Sequence, residues 1–95
     1  MNPVLAFATH LARDRRRSAH TVRAYAATAE RLIAFLQGHW GGRVDAAALG
    51  RLSAADLRAF LASRRAEGLG NAGAARELSA VRGFIAFAGG AAPPL

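Results

Sequence analysis

Alanine recurs along almost the whole chain, and it constrains the fold more than any other residue. It is the strongest helix former among the amino acids and a weak strand former. A chain of 95 residues has the length of one domain with a modest core. Because alanine side chains fill little space, the helices must approach closely around a limited set of Leu, Phe, Val, Ile and Trp side chains. We therefore expect a single all-α domain.

Two helices are predicted in the first half of the chain. Asn2 followed by Pro3 is typical of a helix start, and this helix should end near residues 14–15. Ser18 can cap the free N–H groups of a long second helix, which should stop around Gly38. Apolar residues recur at spacings of three and four along both helices, at Val4, Phe7, Ala8 and Leu11 and at Val22, Tyr25, Ala29, Leu32, Ile33 and Leu36.

The second half predicts two more helices. Ser53, with Asp56 three residues later, resembles a capping box and starts a helix that should run to about Glu67. A fourth helix should follow the stretch EGLGNAG and end at the glycine pair 89–90. The glycine-rich stretch before Ser53 is interpreted as a connection. We expect an orthogonal bundle of four helices, with or without a short extra helix. The apolar residues of these segments are Trp40, Val44, Leu49 and Leu52, then Leu57, Phe60 and Leu61, then Leu78, Val81, Ile85 and Ala88 with Phe84 and Phe87 beside them.

The charge of the chain indicates the kind of partner it binds. The formal net charge is +7 and the pI is about 11.8, beyond the value of about 9 that is typical of nucleic-acid-binding domains. Every basic residue is arginine, a bias that a GC-rich coding genome would also produce. The excess of positive charge still requires an anionic partner, and double-stranded DNA is the leading candidate.

Composition argues against several other kinds of site. The chain has no cysteine and its three histidines are scattered, so we expect no disulfide, no metal site and no cofactor. No apolar run approaches the roughly 18 residues that a bilayer-spanning helix requires, and the N-terminus lacks the pattern of a secretory signal. We therefore expect a cytoplasmic, nucleoid-associated protein that binds no membrane.

The stretch RRRSAHTVRAY combines an arginine run with the start of the second helix. A helix N-terminus carries unpaired N–H groups and the positive end of the helix dipole, and both favour an anion such as a phosphate. Together with the arginines, these features predict a cradle for the DNA backbone. Its candidate DNA-binding residues are Arg16, Arg17, Ser18, His20, Thr21 and Arg23.

The fourth helix carries a second candidate set, Arg76, Ser79 and Arg82. Steps of three residues bring these side chains near one face, opposite Val81 and Ile85. Arginine can bridge phosphates or pair with guanine in a bidentate fashion, and serine can bond a phosphate oxygen. This face fits a DNA groove, and the alternative is a face that is simply solvated.

The stretches RRRSAHTVRAY, LSAADLRAFLASRRAEGL and AARELSAVRGFIAF resemble, in this order, the signatures of a known domain family. It is the N-terminal core-binding, or SAM-like, domain of Xer-type tyrosine recombinases and phage integrases. The resemblance implies one half of a clamp around duplex DNA at a core recombination site, with the second and fourth helices toward the major groove. It favours the cellular Xer type, which resolves chromosome dimers at cell division, over phage and mobile-element integrases.

The resemblance also divides the chain into a core-binding domain, residues 1–88, and the start of a linker to a catalytic domain, residues 89–95. The family's chemistry uses a tyrosine nucleophile with Arg, Lys and His residues, all of them in that other domain. Here the one tyrosine, Tyr25, falls in an apolar stripe, and the chain has no lysine. We expect no catalysis from this chain.

The chain departs from the family at several positions. Many relatives carry a basic pair after the tyrosine, where Ala26 and Ala27 stand here, and Ser or Thr where Gly70 and Gly73 stand. We therefore expect weaker phosphate contacts from the second helix. We also expect a frayed start to the fourth helix, whose cap passes to Asn71 or is missing.

Two other functions remain open. Domains of this family also contact other recombinase subunits in a synaptic tetramer, commonly through the first helix. Val4, Leu5, Phe7 or Leu11 would supply such a surface if exposed. Binding of a basic amphipathic helix to anionic membranes is the third hypothesis, and it is disfavoured because the arginines are spread over several helices. The isolated domain is expected to be a monomer.

Overall fold

The computed structural model describes residues 2–95, which form five helices joined by short turns. They are α1 (Pro3–Arg13), α2 (Ala19–Trp40), α3 (Ala46–Leu49), α4 (Ala54–Ala66) and α5 (Asn71–Phe87). No strand occurs within this part of the chain. The predicted all-α fold is confirmed, and α3 is a short fifth helix within the stretch interpreted as a connection.

α2 is the central element, because it packs against α1, α4 and α5. Its apolar stripe is buried at Ala29, Leu32 and Leu36. Phe84 of α5 is fully buried, and its ring centroid lies 5.2 Å from that of Phe7 in α1. Burying a phenylalanine in this way contributes about 1.5–3 kcal/mol relative to leaving it exposed. The core therefore joins the first and last helices directly as well as through α2.

The buried face of α5 is centred on Val81 and Phe84. Ile85 is buried as predicted, whereas Leu78 and Ala88 are only half-buried and lie at the margin of this face. The difference arises because α5 faces both α2 and α4, so its buried face is displaced from the predicted stripe toward Glu77 and Ala80.

The end of α2 differs from the prediction. Gly38 lies inside the helix, which continues to Trp40. The cap is Gly41, with a left-handed φ of 73°, and the N–H groups of Gly41 and Gly42 both donate to the carbonyl of Gln37. A glycine inside a helix costs only about 1 kcal/mol relative to alanine. The helix therefore passes Gly38 and stops at the glycine that takes the left-handed conformation.

The arginine run forms the turn between α1 and α2. The N–H of Arg15 donates to the carbonyl of His10 at 3.2 Å, and that of Arg17 to the carbonyl of Leu11 at 2.9 Å. Arg16 adopts a left-handed φ of 50°, which costs a non-glycine residue roughly 1–2 kcal/mol. The backbone course through the run is therefore fixed, and the three side chains are exposed.

The start of α4 and the segment before it follow the prediction. The N–H of Asp56 donates to Ser53 Oγ at 3.0 Å, and the N–H of Ser53 donates to Asp56 Oδ2 at 3.0 Å, which completes the capping box. In the connection, Val44, Leu49 and Leu52 are buried and fill the core from this side.

The residues after α5 fold back on the body. Gly89 has a positive φ of 94°, and the N–H of Gly90 donates to the carbonyl of Ile85 at 3.0 Å. A Cβ at Gly90 would lie 3.1 Å from the Cα of Gly50, so only glycine allows this approach without a shift. Ala92 packs against the core. A linker starting at residue 89 stays a prediction.

Candidate nucleic-acid interface

The start of α2 holds the first set of candidate DNA-binding residues. The Oγ of Ser18 accepts the N–H of Thr21 at 3.1 Å and donates its own proton to Thr21 Oγ1 at 3.0 Å. Ser18 is thus the N-cap, and its hydroxyl is used within the helix. Thr21 keeps its hydroxyl proton. Of the two hydroxyls, that of Thr21 is the one able to donate to a phosphate.

Positive charge surrounds this helix start. Arg16, Arg17 and Arg23 are exposed, and no carboxylate pairs with them among residues 2–95. The first N–H groups of α2, at Ala19 and His20, have no carbonyl partner within the helix. An anion that approaches this helix start is attracted by the guanidinium groups and also by the positive end of the helix dipole.

The half-buried Tyr25 lines two grooves, one between α2 and α5 and one between α1, the turn of arginines and α5. The Arg76 groove is lined on α2 by Ala24, Ala27 and Arg31 and on α5 by Gly73 and Arg76. The Ser79 groove is lined by Arg15 and Arg17 from the turn and by Ser79 and Gly83 from α5. The grooves adjoin at Tyr25, so together they form one surface.

The structure brings only part of the candidate set together. Arg17, Ser79 and Arg76 line the two grooves. Arg82 is exposed but lines neither groove. The candidates that line neither groove are Arg16, Ser18, His20, Thr21, Arg23 and Arg82. The DNA contacts of all nine residues stay predictions.

Small side chains line much of the Arg76 groove. Ala24 and Ala27 contribute methyl groups, and Gly73 contributes backbone only. Such walls leave space for a bulky sugar–phosphate chain but supply no hydrogen-bond donor. The cationic donors in this groove are the guanidinium groups of Arg31 and Arg76.

The start of α5 has no side-chain cap, because Gly70 is its N-cap residue. Asn71 is the first helical residue, and its Oδ1 accepts a hydrogen bond from Arg65 Nη1 at 2.9 Å, so it ties α5 to the end of α4 instead of capping. Gly73 lies close to the Leu69 side chain, since a Cβ at position 73 would come within 2.5 Å of Leu69 Cδ1. Of the two predicted alternatives, a missing cap is the one found, and fraying stays a prediction.

An ion cluster in the wall of the Arg76 groove joins three helices, and the sequence patterns did not predict it. Glu77, whose side chain is 7% exposed, accepts from Arg64 Nε at 3.0 Å and from Arg31 Nη2 at 3.2 Å. Arg31 Nη2 also donates to Thr28 Oγ1 at 3.1 Å, whereas the buried Nε of Arg31 has no partner among residues 2–95. The hydrogen bond with Glu77 holds the pKa of Arg64 above its ordinary value.

A sequence signal for this cluster exists. Glu77 stands three residues from both Ala74 and Ala80, so on a helix it shares the face that they bury. A carboxylate on such a face is buried only where a cation meets it. The position therefore indicates a buried ion pair, although it does not identify the arginines.

A second polar cluster ties the end of α2 to the start of α4. His39 Nε2 lies 3.1 Å from Asp56 Oδ1. Burial pushes the pKa of Asp56 up, but hydrogen bonds from Ser53, Trp40 and His39 outweigh it and hold the pKa below its ordinary value. Asp56 is therefore ionised at neutral pH.

One apolar patch is exposed on α1. Leu5 is 63% exposed and lies beside Phe87 of α5, which is 38% exposed. The ring of His10 stacks on Phe87, with ring centroids 4.8 Å apart. The other apolar residues considered for a protein contact, Val4, Phe7 and Leu11, are buried.

The arrangement is suited to binding anions. Within residues 2–95, no group of three or more His, Asp or Glu side chains could hold a metal ion. None of the helices described is both long and apolar enough to span a membrane. The available chemistry consists of exposed guanidinium groups, the open start of α2 and the hydroxyl groups of Thr21 and Ser79.

Comparison with protein families gives a match to the phage integrase N-terminal SAM-like domain over residues 4–90. The chain is similar to tyrosine recombinase XerC of Nitrobacter winogradskyi, with 36% identity over 84 residues, which is 88% of this chain and 26% of that protein. It is 42% identical to tyrosine recombinase XerC of Mesorhizobium japonicum over 77 residues, 81% of this chain and 25% of the relative. With tyrosine recombinase XerC of a Methylobacterium species the identity is 42% over 81 residues, 85% of this chain and 25% of the relative. No solved structure gives a significant match.

The matched region includes the turn of arginines, α2, α4, α5 and both grooves. The chain spans about a quarter of the length of these curated relatives. The family predicted from the order of the three sequence stretches is therefore the family found. This chain belongs to the phage integrase N-terminal SAM-like domain family.

Proposed function

We propose that this chain is the DNA-binding N-terminal half of a site-specific tyrosine recombinase of the Xer type, and that it clamps duplex DNA at a core recombination site. The observation that carries the proposal is that Arg17 and Ser79 line one groove and Arg76 lines the groove beside it. In this proposal the parent recombinase resolves chromosome dimers. A phage or mobile-element integrase is the alternative within the same family.

The surface binds mainly through phosphates in this proposal. Unpaired guanidinium groups neutralise phosphates and release counterions, which makes the affinity fall steeply with salt. With about four to six phosphate contacts, log K should fall against log salt with a slope of roughly −4 to −5. One half of a clamp should bind with a Kd near the non-specific range of about 10⁻⁴ to 10⁻⁶ M.

We assign binding and no catalytic step to this chain. Tyr25 packs against the core and lines the two grooves, so its ring serves as part of the wall. The chemistry would reside in a separate domain, joined through a linker that begins within residues 89–95.

A fluorescence-anisotropy titration tests the proposal. The chain is titrated against a duplex that carries an inverted-repeat recombination site and against a scrambled duplex, each at two salt concentrations. The proposal expects salt-sensitive binding that prefers the recombination site. Absence of binding at low salt would mean that the arginines form a solvated face.

Contact between recombinase subunits is a second candidate function, and the exposed Leu5 favours it. Leu5 and Phe87 form an apolar patch that borders the Ser79 groove at His10 and Phe87, whereas Leu5 itself lines neither groove. Leu5→Asp should leave the DNA affinity of this chain unchanged and weaken assembly of the full-length recombinase on paired sites. Ala62→Asp, at an exposed position of α4, is the matched control. Equal assembly by both variants would remove the patch from the interface.

A further inference from the structure

We propose that Glu77 is a positioning residue for DNA binding. It fixes the rotation of α5 against α2 and α4, so that Arg76 and Ser79 face the DNA together with the start of α2. The inference rests on the proposed function, because it concerns the same surface.

Glu77 and Arg76 are neighbours on α5 that point in different directions. Both residues line the Arg76 groove, but the Glu77 side chain is buried in its wall, whereas Arg76 is exposed. Successive residues of a helix are separated by a fixed rotation of about 100°. Any roll of α5 that displaces the carboxylate of Glu77 therefore displaces the guanidinium of Arg76 through the same angle.

The carboxylate is held from two sides. Arg64 of α4 binds it as a fork, with Nε 3.0 Å from Oε1 and Nη2 3.0 Å from Oε2. Arg31 of α2 binds Oε2 at 3.2 Å. A bidentate guanidinium–carboxylate pair is favourable only in a narrow range of orientations. The two arginines therefore oppose rotation of α5 in either direction.

Arg31 is itself oriented by the backbone of α2. Its Nη2 donates to Thr28 Oγ1 at 3.1 Å, and the hydroxyl of Thr28 donates to the carbonyl of Ala24 at 3.2 Å. Ala24 lines the Arg76 groove. A continuous chain of hydrogen bonds therefore runs from the α2 wall of the groove to Glu77 on α5.

The fully buried apolar side chains that orient α5, Val81, Phe84 and Ile85, lie toward the end of the helix, beyond the Arg76 groove. Ala24, Ala27 and Gly73 line this end of the groove and offer few side-chain atoms to interlock. Buried ion clusters add little net stability, because desolvation offsets the attraction, and here the Nε of Arg31 is left without a partner among residues 2–95. The ion cluster therefore contributes mainly to the orientation of α5 and little to the free energy of unfolding.

Charge and positioning predict opposite results for one substitution. Glu77→Gln removes a negative charge from a chain of net charge +7, so electrostatics alone would tighten binding to DNA. Loss of positioning would weaken it. Glu30→Gln makes the same change of charge at an exposed position of α2 that forms no ion pair among residues 2–95, and serves as the control.

The experiment measures the Kd for duplex DNA by fluorescence anisotropy, with circular dichroism and urea unfolding to establish that each variant is folded. We expect Glu77→Gln to raise the Kd about tenfold, which is within the range of couplings inside one network. Glu30→Gln should leave the Kd equal or lower. In an Arg76→Ala background the effect of Glu77→Gln should be largely lost, because the positioned side chain is gone.

Each result of these binding measurements either supports or overturns the positioning role of Glu77. Equal or tighter binding by folded Glu77→Gln overturns the positioning role, as does an undiminished effect in the Arg76→Ala background. If Glu77→Gln does not fold, Glu77→Asp retains the charge but is too short to hold both arginines, and folded Glu77→Asp should bind several-fold more weakly. Wild-type affinity for Glu77→Asp would overturn the role. Absence of DNA binding by the wild-type chain would instead refute the proposed function itself.

Discussion

Arg76 on α5 lines the same groove as Tyr25 on α2, although α3 and α4 lie between them in the sequence. Tyr25 also lines the adjoining groove, which contains Arg17 and Ser79. Residues from two distant stretches therefore converge on one surface. A single segment of duplex could contact both stretches at once.

Arg76 should contribute more to DNA binding than Arg82, because Arg76 lines a groove and Arg82 does not. Arg76→Ala should reduce the magnitude of the salt slope by about 1 if it binds a phosphate. If it binds a guanine, the loss should be about 1–3 kcal/mol with relaxed specificity. Anisotropy titrations at several salt concentrations measure both quantities. Unchanged affinity in both Arg76→Ala and Arg82→Ala would remove α5 from the interface.

Ala27→Arg should increase DNA affinity. Ala27 lines the Arg76 groove, and a guanidinium there would add a phosphate contact. Each such contact steepens the salt slope by about 0.9, which the same titrations measure. Ala62→Arg adds the same charge at an exposed position of α4 and controls for net charge. An equal gain in the two variants would argue against a local contact.

Gly70→Ser should stabilise the fold by a few tenths of a kcal/mol, because a serine N-cap is slightly better than glycine. Gly70 has φ −84° and ψ −179°, which any residue adopts, and a Cβ there meets nothing within 4 Å. Urea unfolding measures the change in the free energy of unfolding. Gly68→Ser is the contrasting control, since its φ of 105° should make the substitution destabilising. A lower stability for Gly70→Ser would show that the open helix start is preferred.

Acid should remove the stabilising contribution of Asp56. Its pKa in the folded protein lies below its ordinary value, so unfolding at low pH takes up a proton. The contribution is complete above the unfolded pKa of about 3.9 and is lost as the pH falls through the folded pKa. Urea midpoints at about pH 7 and pH 3 should therefore differ more for the wild type than for Asp56→Asn. The same pH dependence in both would refute this role.

Local sequence signals predicted most helix starts, because a cap involves residues only a few positions apart. The side chains of Asn2, Ser18 and Ser53 all accept hydrogen bonds from the first turns of their helices. The exposed arginines of the two candidate stretches were predictable for a similar reason, since helical spacing assigns each residue to a face.

The ion cluster was not predictable in the same way. Glu77 meets Arg31 across 46 residues and Arg64 across 13, so each contact depends on how whole helices pack. The difference between the predicted and the observed end of α2 has another reason. Gly38 and Gly41 are equivalent as sequence signals, and only the backbone conformation distinguishes them.

The close approach of Gly90 to Gly50 determines where a tether to any following domain would begin. Ala92 also packs against the body, so the free part of such a tether would start after this residue. Each extended residue spans at most about 3.3–3.6 Å, and anchoring residues 89–92 therefore removes about 13 Å of reach. A shorter tether raises the effective concentration at which an attached domain meets the opposite side of the duplex. If the chain is one half of a clamp, as proposed, two glycines that line neither groove would in this way limit how widely the clamp can open.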